Sequence, residues 1–270
     1  MLNKQRKADK NLTGQNKKSA LKAMYKSLPF SNREIHYTVM SKSDLLPLLI
    51  FVHGAPGAWH GYMNLLNDPS LQNKYKMISV DRLGYGRSGS GEAELSIEQQ
   101  ALSIKSIIEK ENTINKKVTL FGRSYGAPIT ALLAINYPQY VHQLFMISPV
   151  IDPAKEKFYW FSEAGKWKAI QWLLPKKLNV ATAEKFAHEG EMKMMMPKWK
   201  ELSIPTTVIT GERDKIADTA NFTFAQKHLT NCHTTLIKLK NVGHQITYKR
   251  PDLIRELLLN ESLKFANALC

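Results

Sequence analysis

The chain has 270 residues, with 38 Lys and Arg against 23 Asp and Glu, a formal net charge of +15 and 43% apolar residues. This composition excludes a collagen, a coiled coil and a fully disordered chain, and the length suits one large domain or one domain carrying an insertion. Only two cysteines occur, Cys232 and the terminal Cys270, so no disulfide framework is expected. No Cys/His cluster has metal-ligand spacing, and no apolar run reaches the ~20 residues of a membrane span.

In chain order, residues 1–33 come first as a basic arm. They hold nine basic residues and one acid, Asp9. The stretch to Ser19 is poor in apolar residues and is expected to be disordered. From residue 35 short β-rich runs alternate with helical stretches. Strands are expected at Ile35–Met40, Leu46–Val52, Met77–Val80, Lys117–Phe121, Leu144–Ile147, Thr206–Thr210 and Thr235–Leu239. Helices are expected at Ser96–Glu111, with Ile97, Ala101, Ile104, Ile107 and Ile108 on one face, at Tyr125–Asn136 and at Asp252–Phe265. Apolar strands alternating with helices imply an α/β fold, a mostly parallel central sheet flanked by helices. Residues 34–150 and 201–270 form that core. Residues 151–200 break the rhythm, because they are too long for one crossover. Their Trp, Met and Lys content and the punctuation by Pro175 and Pro197 suggest a small helical cap insertion.

Five segments carry chemistry, each just beyond a strand. Gly122-Arg123-Ser124-Tyr125-Gly126 is a G-x-S-x-G between a strand and a helix, a turn that lifts the serine into an exposed position. Phe51 to Gly57 is a Gly-rich loop after the longest apolar strand, where open α/β sheets bind ligands. Asp81 to Ser88 is a glycine-punctuated loop that reads mainly as architecture. Gly211-Glu212-Arg213-Asp214 and Val242-Gly243-His244 follow the last two strands. A serine nucleophile needs a base, and the base needs an orienting acid. Ser124, Asp214 and His244 supply the three in order, with Asp218 and Asp152 as other candidates for the acid. His titrates near neutrality and suits the base. Among the remaining histidines, His60 follows the Gly-rich loop and is a candidate pocket residue.

In these motifs the sequence resembles the α/β-hydrolase superfamily, from about residue 34 to 266. The resemblance implies Ser124 as nucleophile, Asp214 as acid and His244 as base. It implies an oxyanion hole from the backbone N–H groups of Ala55 and Tyr125, and it matches the D-x-x-G-x-G-x-S pattern at residues 81–88. The inserted segment falls where the family places its cap. Serine at the elbow sets the chain apart from relatives resembling haloalkane dehalogenases and epoxide hydrolases, which use Asp there. The His53-Gly54-Ala55-Pro56-Gly57 loop resembles the H-G-G-P-G of proline iminopeptidases, with Ala55 in place of a glycine.

The expected activity is hydrolysis of a small carboxylic ester or related acyl bond by a carboxylesterase-type enzyme, through an acyl-enzyme on Ser124. A proline-iminopeptidase-like aminopeptidase and a non-catalytic ligand-binding protein of this fold are the alternatives. Trp59, Phe158, Trp160 and Trp167 are candidate pocket residues for an apolar acyl or aryl group. No metal and no organic cofactor is required. The partner is a small-molecule acyl substrate, with nucleic acid or an anionic membrane surface a less favoured partner for the basic arm. The expected compartment is the cytoplasm by default, with export left open should residue 1 not be the natural start.

Overall fold

The structure is a computed structural model that describes residues 21–155 and 172–260. Eight strands form one sheet: β1 (Met24–Phe30), β2 (Arg33–Met40), β3 (Leu48–Val52), β4 (Lys76–Asp81), β5 (Val118–Arg123), β6 (Val141–Ile147), β7 (Thr206–Gly211) and β8 (Thr234–Leu239). Their order across the sheet is β1-β2-β4-β3-β5-β6-β7-β8. β1, β2 and β4 pair antiparallel, and every later pairing is parallel. The five main helices are α1 (Ile97–Glu111), α2 (Gly126–Asn136), α3 (Lys176–Met195), α4 (Ala220–His228) and α5 (Pro251–Leu259).

The central strands β3 and β4 are buried at every position, as expected for strands covered on both faces. One apolar cluster joins α1, α2 and one side of the sheet through Ile104, Ile108, Leu120 and Leu133. The other joins Phe51, Phe121, Tyr62 and Leu257 beneath α5. α1 begins where Ser96 caps it by accepting from the Gln99 N–H at 3.2 Å.

Two expectations change here. β1 lies within the stretch assigned to the basic arm, so the sheet starts by Met24. Its burial alternates along an edge strand, and Lys26 reaches across to Glu111 at 2.8 Å. Edge position also tolerates Pro29, which a central strand would not. The second change concerns the insertion. Residues 156–171 lie outside the described residues, and with them Phe158, Trp160 and Trp167. The described rest contains a 3-10 turn at Pro153–Lys155, α3 and a second 3-10 turn, Met196–Glu201, which buries Trp199 in the core.

α3 buries Val180, Glu184, His188, Met192 and Met195. The first four are spaced by four residues and so lie along one side of the helix. That side meets Arg82, Tyr85 and Tyr125, just past the carboxyl ends of β4 and β5. Among the described residues no helix is long and apolar enough to cross a membrane.

Candidate active site

Ser124 follows β5 directly and has φ +54°, the left-handed region that non-glycine residues rarely adopt. Its N–H donates to the Ile147 carbonyl at 2.9 Å, and its own carbonyl accepts from the Ala127 N–H as α2 begins. The turn requires close backbone approach. A Cβ at Gly126 would meet the Val52 carbonyl oxygen at 2.3 Å, so only glycine lets α2 dock against β3 here. A Cβ at Gly54 would stand 2.8 Å from Ser124 Cβ and 3.3 Å from its Oγ, which sets the 53–57 loop directly against the serine. Tyr125 caps the amino end of α2, where the helix dipole is positive.

His244 and Asp214 meet on the loops after β8 and β7. Nδ1 of His244 and Oδ2 of Asp214 are 2.8 Å apart, with both side chains buried. The other carboxylate oxygen accepts from the N–H groups of Ile216 and Ala217, each at 2.9 Å. Burial pushes the Asp214 carboxyl up. The His244 bond and the two N–H donors outweigh it and hold the group below the usual carboxylate range. The two competing acids are used elsewhere: Asp218 accepts from the Ala220 N–H as α4 begins, and Asp152 from the Ala154 N–H. Ser148, next to the Ile147 that holds the Ser124 N–H, donates its hydroxyl to the His244 carbonyl at 3.3 Å. The end of β6 thus touches both the serine and the histidine loops.

A family model described as alpha/beta hydrolase fold matches residues 47–176. The chain has the α/β-hydrolase fold. Among its relatives, a proline iminopeptidase of Lactobacillus helveticus is 24% identical over 123 residues, 45% of this chain and 42% of that enzyme. The match therefore spans less than half of that relative. A Bacillus subtilis protein named AB hydrolase superfamily protein YfhM is 21% identical over 83% of this chain and 93% of its own length. Among solved structures, a membrane phospholipase A described as a bacterial virulence factor superposes with a TM-score of 0.68. That superposition covers 95% of this chain and 90% of the other at 21% identity.

The 81–88 loop braces the architecture through buried hydrogen bonds. Asp81 accepts from the Trp59 N–H at 2.9 Å, from the Arg87 N–H at 3.1 Å and pairs with His36 at 3.0 Å. Ser88 donates to the Asp81 carbonyl and accepts from the His36 N–H. Arg82 lies at the centre of a fully buried cluster that sequence reasoning missed. Its Nε donates to the His53 carbonyl at 2.8 Å, and its two terminal nitrogens meet both oxygens of Glu184 on α3 at 2.6 and 3.0 Å. Tyr85 donates to the same carboxylate, and Tyr85 and Tyr125 pack against the guanidinium. The signal available was an arginine placed immediately after a wholly buried strand.

His53 is also buried. Its Nε2 accepts from the Arg82 N–H at 3.1 Å, which leaves Nδ1 to donate to the Gly54 carbonyl at 2.7 Å. Burial first, and then the Arg82 charge, lower its pKa to about 3, so the ring is neutral.

Trp59 is a correction. It was expected to line a pocket, but it is 0% exposed in the core, edge-on to Tyr25 and carrying its backbone N–H to Asp81. Its neighbour His60 does line a cavity of about 280 Å³ beside the serine turn, together with Gly54, Arg123, Lys177, Gln245 and Tyr248. Ala55 is partly buried beside this loop.

Proposed function

We propose that this chain is a serine hydrolase of small carboxylic esters or related acyl bonds. Ser124 Oγ attacks the carbonyl carbon while His244 Nε2 takes its proton. Asp214 holds the imidazole through Nδ1–H and stabilises the charged ring. The N–H groups of Ala55 and Tyr125 stabilise the oxyanion. The tetrahedral adduct then collapses, the leaving alcohol takes the proton from His244, and the acyl group stays on Ser124. Water, activated by the same histidine, releases the acid.

One observation carries this reading: a serine held at positive φ at a strand-to-helix turn, beside loops that carry a buried Asp214–His244 hydrogen bond. Strain of this kind persists where surrounding structure over-determines it, and it concentrates at functional sites. The test is a p-nitrophenyl ester series run with the wild type and Ser124→Ala. Turnover in the wild type that is lost in the variant supports the reading. Equal rates in the two would exclude Ser124 as nucleophile.

An aminopeptidase is the second reading, favoured by the Lactobacillus relative and by the His53–Gly57 loop. Such an enzyme needs a free carboxylate for the substrate's amine. Among the described residues, Asp81 and Glu184, the buried acids near the serine turn besides Asp214, already face arginine, histidine, tyrosine or N–H donors. Cleavage of prolyl p-nitroanilide in preference to every ester would decide for the peptidase.

A further inference from the structure

Two cations line the cavity beside Ser124, and the acid in its lining is saturated by other partners. Gly54, on its wall, faces the Ser124 side chain, and Gln245 follows His244. Arg123, the residue before the serine, and Lys177, from the first turn of α3, both line it. Among the described residues neither cation has an ion-pair partner. Arg123 Nε is buried with no hydrogen bond, and the guanidinium stands 5.8 Å from the centre of the Tyr248 ring.

The one acid in the lining is Asp81, and its oxygens are engaged by His36, the Trp59 N–H and the Arg87 N–H. The histidine that borders the cavity at the base of the loop, His53, is neutral, and the Arg123 charge adds to the effects that lower its pKa. A buried arginine donor left unpaired is costly, and planar guanidinium matches a carboxylate or phosphate in two-pronged fashion. The net charge of +15 would further concentrate anions near this mouth.

We propose that this cavity binds an anionic group of the substrate, a carboxylate or a phosphate, between Arg123 and Lys177. The proposal rests on Ser124 being the nucleophile only for its kinetic arm. A volume of about 280 Å³ limits the bound part to a short chain ending in that group. The acyl carbonyl would then lie at Ser124 while the far end of the same molecule reaches Arg123. This departs from the apolar pocket expected from the aromatic residues of the insertion.

The experiment has two arms. In the first, p-nitrophenyl butyrate is compared with the mono-p-nitrophenyl ester of glutaric acid, in the wild type, Arg123→Gln, Arg123→Lys and Lys177→Gln. The ratio of kcat/KM for the anionic over the neutral ester should fall roughly ten- to hundred-fold in Arg123→Gln, the size expected for one lost charge-assisted hydrogen bond. It should fall less in Lys177→Gln and be partly restored in Arg123→Lys.

In the second arm, glutarate and inorganic phosphate are titrated into Ser124→Ala with and without Arg123→Gln, read by calorimetry. Binding that disappears with Arg123→Gln supports the proposal. Glutarate alone binding assigns the site to carboxylates, and phosphate alone assigns it to phosphates. An unchanged kinetic ratio, or no binding of either anion, overturns the proposal. If neither ester is hydrolysed, the binding arm still decides the cavity, and only the hydrolase reading falls.

Discussion

Arg82 and Arg123 stand at equivalent places, each at the carboxyl end of a parallel strand, yet their surroundings are opposite. Arg82 is 0% exposed and meets Glu184, the His53 and Gly54 carbonyls and two tyrosine rings. Arg123 has a buried nitrogen with no partner and borders a cavity. The first is a saturated structural junction that ties α3 to the loop beside Ser124. The second is an arginine whose hydrogen-bonding capacity is left for something else. A buried charge that is fully paired says little about ligands, whereas an unpaired one needs an explanation.

The largest effect should separate chemistry from structure. Ser124→Ala should lower ester turnover by about 10⁴-fold or more, as loss of one member of a catalytic triad does. Its unfolding midpoint should stay close to the wild type, because Ser124 makes its visible hydrogen bonds through its backbone. A large fall in stability would move Ser124 to the structural side of the comparison.

Arg82 should behave the opposite way. Arg82→Met leaves the Glu184 carboxylate buried without its cation and should cost about 3–5 kcal/mol in denaturant unfolding. Adding Glu184→Leu should recover most of this, since an apolar pair of similar volume avoids both desolvation penalties. If the double variant is as unstable as the single one, the guanidinium's bonds to His53 and Gly54 matter more than its ion pair.

The loop that carries Asp214 can be tested by pH. The native Asp214 pKa lies below its ordinary value of 3.8, so the stability from this group is fully present above that value. It is lost as pH falls through the depressed native pKa. The advantage of the wild type over Asp214→Asn in unfolding free energy should therefore shrink in strong acid and be flat at neutral pH. An advantage that persists unchanged in acid would show that the His244 contact does not depend on the charge.

Much of this was legible in the sequence where a signal is local. β3 is a continuous apolar run and β4 to β8 carry shorter apolar or β-branched stretches, and the serine, aspartate and histidine follow β5, β7 and β8. β1 was not legible, because its residues alternate at an edge and include Lys26, Ser27 and Pro29. α4 carries no strong apolar stripe either, burying only Asn221, Phe224 and Ala225. α3 hides for a different reason. The buried side of the helix includes Glu184 and His188, and the cation that offsets the burial of Glu184 is Arg82, 102 residues distant. The Trp59 expectation failed because an aromatic after a glycine-rich loop serves a core as readily as a pocket. Patterns of single residues reveal strands and turns, but a buried ion pair belongs to two segments at once.

The smallest effect concerns His53, which joins the two regions by bonding to Arg82 and bordering the cavity. Its Nε2 accepts a hydrogen bond from the Arg82 backbone N–H and its Nδ1 donates to the Gly54 carbonyl, so the neutral Nδ1–H form is fixed by two bonds. Protonation would break the first of them, and burial opposes it as well. An ¹⁵N spectrum of the imidazole should show this tautomer unchanged until pH approaches about 3. In the unfolded chain the same ring protonates near its ordinary 6.5. Between those values the unfolded state binds a proton that the native state refuses, so stability falls as pH is lowered from about 6.5 towards 3. A His53 that titrates near neutrality would mean that the Arg82 junction is open, and the contrast between the two arginines would lose its structural half.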